Sequence, residues 1–356
     1  MPSVLWWGRF DPDYSRNRIL RKLLPGLGWN VVDFHPRLSS LGDLEARLKR
    51  IGKPDLVWVP CFRQRDLAAA SRWAKCQGVP LLFDPLISAY DKQIFERKKY
   101  APQSWQAKRL YRWEQALFKR ADILVADTQT HADYFSEEFG IRPDRIKVVY
   151  VGAEEPLFHP APMPDHADGS PLEVLFYGSF IELQAPQIIV EAARVYTGLP
   201  VRWTLLGKGP LRAECERLAR GLDNVYFENP IPYVQLPARI HEADILLGVF
   251  DAGAKAGRVI PNKVFQALAC GRPVVTEQSS AYPKELDSSR SSGLCFVRAG
   301  SAEDLAREIC ELVTAADCLT KMEYRAHATY QLWFGEACVR DMLGRALLAR
   351  LNPSGE

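Results

Sequence analysis

The stretch Arg258-Val259-Ile260-Pro261-Asn262-Lys263-Val264-Phe265-Gln266-Ala267-Leu268-Ala269-Cys270-Gly271-Arg272-Pro273-Val274-Val275 reads as a loop, a helix and the start of a buried strand in close succession. Pro261 suits a helix start, because the N–H it lacks would have no partner in the first turn anyway. Gly271 and Pro273 interrupt the helical run, and Val274-Val275 opens a β-branched strand. Lys263 falls in the first helical turn, where the helix dipole disfavours a cation unless an anion is close. A diphosphate would supply that anion. A solvated lysine beside an ordinary cap is the alternative.

The same alternation extends outward in both directions. Val174–Tyr177, Arg202–Leu206, Val225–Phe227, Ile245–Val249, Val274–Thr276 and Leu294–Val297 read as strands separated by helical segments. Upstream, Val4–Trp7, Val31–Phe34, Leu56–Val59, Leu81–Phe83, Ile123–Ala126 and Ile146–Val149 repeat the pattern. Strands that alternate with helices imply parallel sheets, since parallel pairing needs a crossover connection. The expectation is an α/β protein with two Rossmann-like parallel-sheet domains facing each other across a cleft, where such sheets bind ligands. The proline-rich stretch 156–171 suits a linker. It divides an N-terminal domain over 1–155 from a C-terminal one over 172–335. Residues 336–356 should form a closing helix, with Val339, Met342, Leu343 and Leu347 on one face, that packs back toward the N-terminal domain.

The length of 356 residues supports two domains, and 47% hydrophobic with 25% charged residues is a globular balance. A net charge of +3 excludes a polycation. No apolar run approaches the roughly 20 residues that span a bilayer, and Met1 to Trp7 is a strand pattern without a basic leader. The reading is therefore cytoplasmic, with peripheral attachment at the cytoplasmic face of a membrane. Eight cysteines lack C-x-x-C pairs and nearby histidines at ligand spacing, which points to reduced core thiols rather than disulfides or zinc.

Gly178-Ser179-Phe180, Gly207-Lys208-Gly209 and Cys270-Gly271-Arg272-Pro273 are glycine turns at element ends, where backbone can approach a phosphate closely. Each alone is as well explained as a plain turn. Asp11-Pro12-Asp13 has the spacing of a metal-binding D-x-D but reads as turn and cap residues, and no metal site is expected. Arg9, Ser15 and Arg16 follow the first strand and could face an acceptor. Asp84 ends the fourth strand, where it could cap the next segment. Between Ala89 and Arg120 nine Lys or Arg, among them Lys98, Lys99, Arg109 and Arg112, stand against three acids, with seven aromatics interleaved. That pattern suits an anionic membrane surface or a lipid diphosphate acceptor, or else a solvated basic face. No base-reading module appears, so nucleic acid is not an expected partner.

Pro261-Asn262-Lys263 with Ala269-Cys270-Gly271-Arg272-Pro273-Val274-Val275 resembles the nucleotide-sugar signature of family 4 retaining glycosyltransferases, of GT-B fold and group 1 type. Leu175–Phe180, Leu205–Gly209, Tyr150–Phe158 and Ala121–Thr128 extend the resemblance in family order. It implies a UDP- or GDP-linked sugar donor, itself a substrate, with no cofactor and no metal. It also implies retention at the anomeric carbon and a glycan or lipid-linked acceptor, in surface polysaccharide or lipopolysaccharide synthesis. Gly178, Ser179, Gly207, Gly209, Pro261, Asn262, Lys263 and Gln266 would hold the donor, and Arg258, Lys263 and Asp84 would serve catalysis.

Three departures accompany it. Arg258 and Gln266 stand where the family has two glutamates with seven residues between them, and the arginine and lysine usual after the first glycine turn are absent. Arg258 could pair with phosphate, and Gln266 could still accept from a ribose hydroxyl, so a glutamate restored at 266 should preserve or tighten donor binding. The alternative function is a catalytically degenerate nucleotide-sugar-binding scaffold. A nicotinamide-dependent oxidoreductase would need G-x-G-x-x-G after the first strand, where Gly8 stands alone.

Overall fold

The computed structural model describes residues 1–167, 169–253, 256–286 and 292–348. They form two units: Met1–Val151 together with the C-terminal segment that begins at Val339, and Gly152–Cys338.

In the first unit, β1 (Ser3–Trp7), β2 (Asn30–Phe34), β3 (Leu56–Val59), β4 (Leu81–Phe83), β5 (Ile123–Ala126) and β6 (Ile146–Val148) make one sheet in the order β2-β1-β3-β4-β5-β6. Every pairing is parallel. Its helices are α1 (Ser15–Gly26), α2 (Gly42–Leu48), α3 (Gln64–Gln77), α4 (Ala89–Asp91), α5 (Trp105–Phe118) and α6 (Gln129–Phe139). β3, β4 and β5 are buried at every position, as strands covered on both faces must be. Trp7, Trp73, Phe83, Phe118 and Phe135 fill one side of this sheet.

In the second unit, β7 (Leu172–Ser179), β8 (Val201–Lys208), β9 (Val225–Glu228), β10 (Ile245–Leu247), β11 (Val274–Glu277) and β12 (Leu294–Val297) make a second six-stranded sheet. Its order, β9-β8-β7-β10-β11-β12, is the 3-2-1-4-5-6 winding of a Rossmann sheet, again parallel throughout. The helices are α7 (Pro186–Val195), α8 (Arg212–Leu218), α9 (Leu236–His241), α10 (Asn262–Ala269), α11 (Ala302–Thr314) and α12 (Ala316–Trp333). α7 and α11 cover the face that carries Val174, Phe176, Trp203, Leu247 and Val275. The winding reverses between β7 and β10, and the crevice beyond the carboxyl ends of those strands is where such sheets take ligands.

All twelve strands expected from the sequence are present, within two residues at each end. α13 (Glu336–Leu348) buries Val339, Leu343, Ala346 and Leu347, with Met342 half-buried, and the rest of the expected closing helix lies outside the described residues. A Cβ on Gly344 would stand 3.5 Å from Leu27, just past α1. The proline-rich stretch counts with the second unit, where the wholly buried Arg272 donates to the carbonyls of Ala161 and Pro162, each at 2.7 Å. Of the cysteines described, Cys61, Cys215, Cys270 and Cys295 are buried, Cys76 is exposed, and none is in a disulfide.

Candidate functional site

α10 begins immediately after Pro261, so the side chain of its second residue, Lys263, reaches the point where the winding reverses. The Lys263 ammonium donates to Gln184 Oε1 at 2.8 Å and to the Gly248 carbonyl, just beyond β10, at 3.3 Å. It lies 3.7 Å from the centroid of the Phe176 ring on β7. Lys263 is only 6% exposed, and burial alone pulls its pKa well below the ordinary lysine value. A buried ammonium with two neutral acceptors and a ring face has lost hydration without gaining a counter-charge. An anion arriving at this edge would restore it.

Glycines make the approach possible. Gly178, next to last in β7, has φ +152°, and Gly207, next to last in β8 and level with it, has φ +142°, backbone that side chains seldom adopt. A Cβ on Gly207 would collide with the Gly178 carbonyl, and one on Gly178 would stand 2.6 Å from Gln184 Oε1 and 3.1 Å from Lys263 Nζ. Gly209 is blocked in the same way by the Phe180 backbone. Ser179 is exposed beside them. The third glycine turn, at Gly271, is elsewhere: it caps α10 at φ +72° and leads into the amino end of β11, on the opposite edge of the sheet.

Gln266, one turn on from Lys263, sits in a hydrogen-bonded chain. Its Oε1 accepts from the Tyr177 hydroxyl at 3.0 Å, and its Nε2 donates to the Tyr233 hydroxyl at 3.3 Å. Tyr233 in turn donates to Glu154 at 2.8 Å. A glutamine can both accept and donate, whereas a glutamate at this point could only accept, facing a hydroxyl whose proton is already given to Glu154. A glutamate would therefore break the link from residue 266 to Tyr233, a matter of stability separate from the donor binding it is expected to preserve. Gln266→Glu should destabilise the protein by about 1 to 3 kcal/mol, as for a buried hydrogen bond left unmade, measured by urea unfolding. Wild-type stability would mean that Tyr233 turns its proton to residue 266. Arg258 lies half-buried on the short turn Ala256–Arg258, and Pro261 and Asn262, also half-buried, open α10.

In the first unit the expected acceptor-side residues divide. Arg9 is exposed after β1, whereas Arg16 is wholly buried in α1 and Ser15 nearly so. Arg16 Nε donates to Asp84 Oδ2 at 2.6 Å and Nη1 to the Val149 carbonyl at 3.0 Å. Asp84 is equally buried. Burial works against the Arg16 charge, but Asp84 outweighs it and holds the guanidinium above its ordinary pKa. Burial also raises the Asp84 carboxyl, with Arg16 pulling the other way. These two residues are thus joined in an internal ion pair across 68 residues of sequence. Beside them Asp127 meets His131 Nδ1 at 2.5 Å, a pair one helical turn apart at the start of α6. Asp13 N–H donates to Asp11 Oδ1 at 2.9 Å, so Asp11-Pro12-Asp13 is the turn its composition suggested.

Lys98, Lys99, Arg109 and Arg112 are all exposed. α5 buries Ala107, Glu114, Leu117 and Phe118, and its opposite stripe carries Trp105, Lys108, Arg109, Arg112 and Trp113. Trp105 is 65% exposed, Trp113 38% and Phe95, just upstream, 50%. Among the described residues no helix is long and apolar enough to cross a membrane.

Sequence reading missed Glu277, Gln184, Tyr233 and the Asp127–His131 pair. Asp127 and His131 at i, i+4 were a visible signal. Glu277 was marked by an acid directly after the apolar run Val274–Thr276.

Comparison with known proteins bears on both halves. Residues 11–152 match the family described as Glycosyl transferase 4-like domain, and residues 171–315 match Glycosyl transferases group 1. The chain is 26% identical over 189 residues to Escherichia coli WcaL, named for a glycosyltransferase role in colanic acid biosynthesis, covering 51% of this chain and 45% of that protein. With the D-inositol 3-phosphate glycosyltransferase of Rhodococcus erythropolis it shares 29% over 289 residues, 74% of this chain and 61% of the relative. These matches span only about half to three-fifths of the curated relatives. The crystal structure of Anabaena Alr3699/HepE in complex with UDP, 16% identical, superposes with a TM-score of 0.71 over 98% of this chain and all of that one, so the fold is of the GT-B type. With the two domain families matched in order along it, the chain belongs to the family 4, group 1 glycosyltransferases.

Proposed function

We propose that this protein transfers a sugar, with retention, from a UDP- or GDP-linked donor to a glycan or lipid-linked acceptor of a surface polysaccharide or lipopolysaccharide, without a metal or cofactor. The observation that carries the reading is the buried Lys263 ammonium, which among the described residues meets only neutral groups at the carboxyl edge of a Rossmann sheet, among glycines that leave room for a phosphate. Departure of a nucleoside diphosphate from an oxocarbenium-like sugar needs its growing negative charge neutralised, and Lys263 with Arg258 would supply that. Gly178, Ser179, Gly207 and Gly209 would bring backbone to the nucleotide. Asn262 and Pro261 present Lys263 by opening α10.

The test is calorimetry of the purified protein with UDP and GDP and their sugar conjugates, without added metal. The HepE complexes hold UDP and UDP-glucose, which puts UDP first among the probes. Selective binding of one nucleoside diphosphate supports the reading. Binding without turnover across a panel of acceptors would turn it toward the degenerate scaffold, and no binding to any nucleotide would overturn it.

The exposed stripe of α5, two tryptophans around three cations, supports a peripheral station at the cytoplasmic face of a membrane, where each cation near an anionic surface contributes about 1 kcal/mol. Replacing Lys98, Lys99, Arg109 and Arg112 by Ser should weaken sedimentation with phosphatidylserine-containing liposomes roughly tenfold or more. Unchanged sedimentation would leave this stripe as a solvated face.

A further inference from the structure

We propose that Glu277 is a donor-sugar contact: its carboxyl, buried, unpartnered and level with the Lys263 site on the same face of the second sheet, receives a hydroxyl of the sugar whose diphosphate Lys263 holds. The inference rests on the donor reading above and extends it to a residue of β11.

The placement follows from strand register. Val275, Leu247 and Phe176 are level across β11, β10 and β7, and all three side chains belong to one hydrophobic cluster. Two residues further along, Glu277 and Gly178 are level and face the same way, with Val249 between them. A Cβ on Gly178 would stand 3.1 Å from Lys263 Nζ, so the ammonium occupies that face at that height. Glu277 is therefore two strand spacings, about 10 Å, from the phosphate position. That is the reach of a hexose hung from a phosphate.

Among the described residues neither buried carboxyl oxygen of Glu277 has a hydrogen-bond partner, and the residue is 2% exposed. Such a group keeps its proton: burial, with Asp251 adding a like charge, pushes the carboxyl up to about 8. Among the described residues Tyr282 is also close, its hydroxyl raised by burial first and by the Glu277 charge in addition. Arg298, at the end of the neighbouring β12, is tied to Asp304 and Ser301 instead. A neutral carboxyl has one O–H to donate and a second oxygen to accept, the complement of a sugar hydroxyl. It would not repel the diphosphate nearby.

The experiment compares UDP with UDP-glucose, UDP-galactose and UDP-N-acetylglucosamine, and GDP with GDP-mannose, by calorimetry on the full chain at pH 6.5 and pH 9. The wild type should bind one conjugate more tightly than its bare nucleotide at pH 6.5, and lose most of that margin at pH 9. Glu277→Ala should lose the margin at both pH values, roughly tenfold, while its affinity for the bare nucleotide, and hence its fold, is unchanged. Glu277→Gln, which keeps an acceptor and a donor but cannot ionise, should retain the margin at both. A margin that survives in Glu277→Ala overturns the proposal, as does a wild type that binds a bare nucleotide but favours none of the conjugates. A wild type that binds no nucleotide at all refutes the donor reading beneath it.

Discussion

Lys263→Ala should lower sugar transfer a hundredfold or more while the protein stays folded, and its melting temperature should hold or rise. The rate loss follows from removing a pre-placed cation from the leaving group, worth about 3 kcal/mol in comparable cases. The stability follows from what the ammonium meets in the free protein: Gln184, the Gly248 carbonyl and the Phe176 ring, with no carboxylate among them. A charge held in that setting is a standing cost to the fold, so its loss relieves strain as it removes function. Turnover at the wild-type rate by folded Lys263→Ala would remove this residue from the donor site. A large fall in melting temperature would instead make it a structural lysine.

Arg16→Met should destabilise the first unit by about 3 to 5 kcal/mol, because it leaves Asp84 as an uncompensated buried charge close to Asp127. The Val149 carbonyl loses its donor in the same step. Against a typical stability of about 5 to 15 kcal/mol, that is a large fraction. The double replacement Arg16→Met, Asp84→Leu should recover most of the loss, since removing both partners of a buried pair is far less costly than removing one. Urea unfolding of the two variants measures the difference. If Arg16→Met kept its stability and lost only activity, Arg16 would belong to an acceptor site and not to the internal frame.

Strand positions were legible because parallel strands covered on both faces are short runs of Val, Ile, Leu and aromatic residues, and Leu56–Val59 or Ile123–Ala126 admit no other reading. Lys263 was legible for a local reason, a cation in the first turn of a helix. Arg16 and Asp84 looked like separate candidates because their pairing depends on how β1, β3 and β4 lie side by side, which no local pattern records. Gly271 was left open for a related reason. A glycine after a helix has the same local appearance at either edge of a sheet, and only the strand direction tells them apart. Gln266 looked like a weakened glutamate until Tyr233, 33 residues away, was placed against it.

The first unit is closed by residues from both ends of the chain, since the segment from Val339 onward is grouped with Met1–Val151. On the ribosome this has a consequence for the order of events. The six strands of the first sheet emerge early, but α13, which buries Val339, Leu343 and Leu347 and passes beside Leu27, is made only after all of Gly152–Cys338, roughly ten to forty seconds later at ordinary elongation rates. During that interval the nascent first unit lacks a helix that the finished one includes, and the second unit can finish folding before it does.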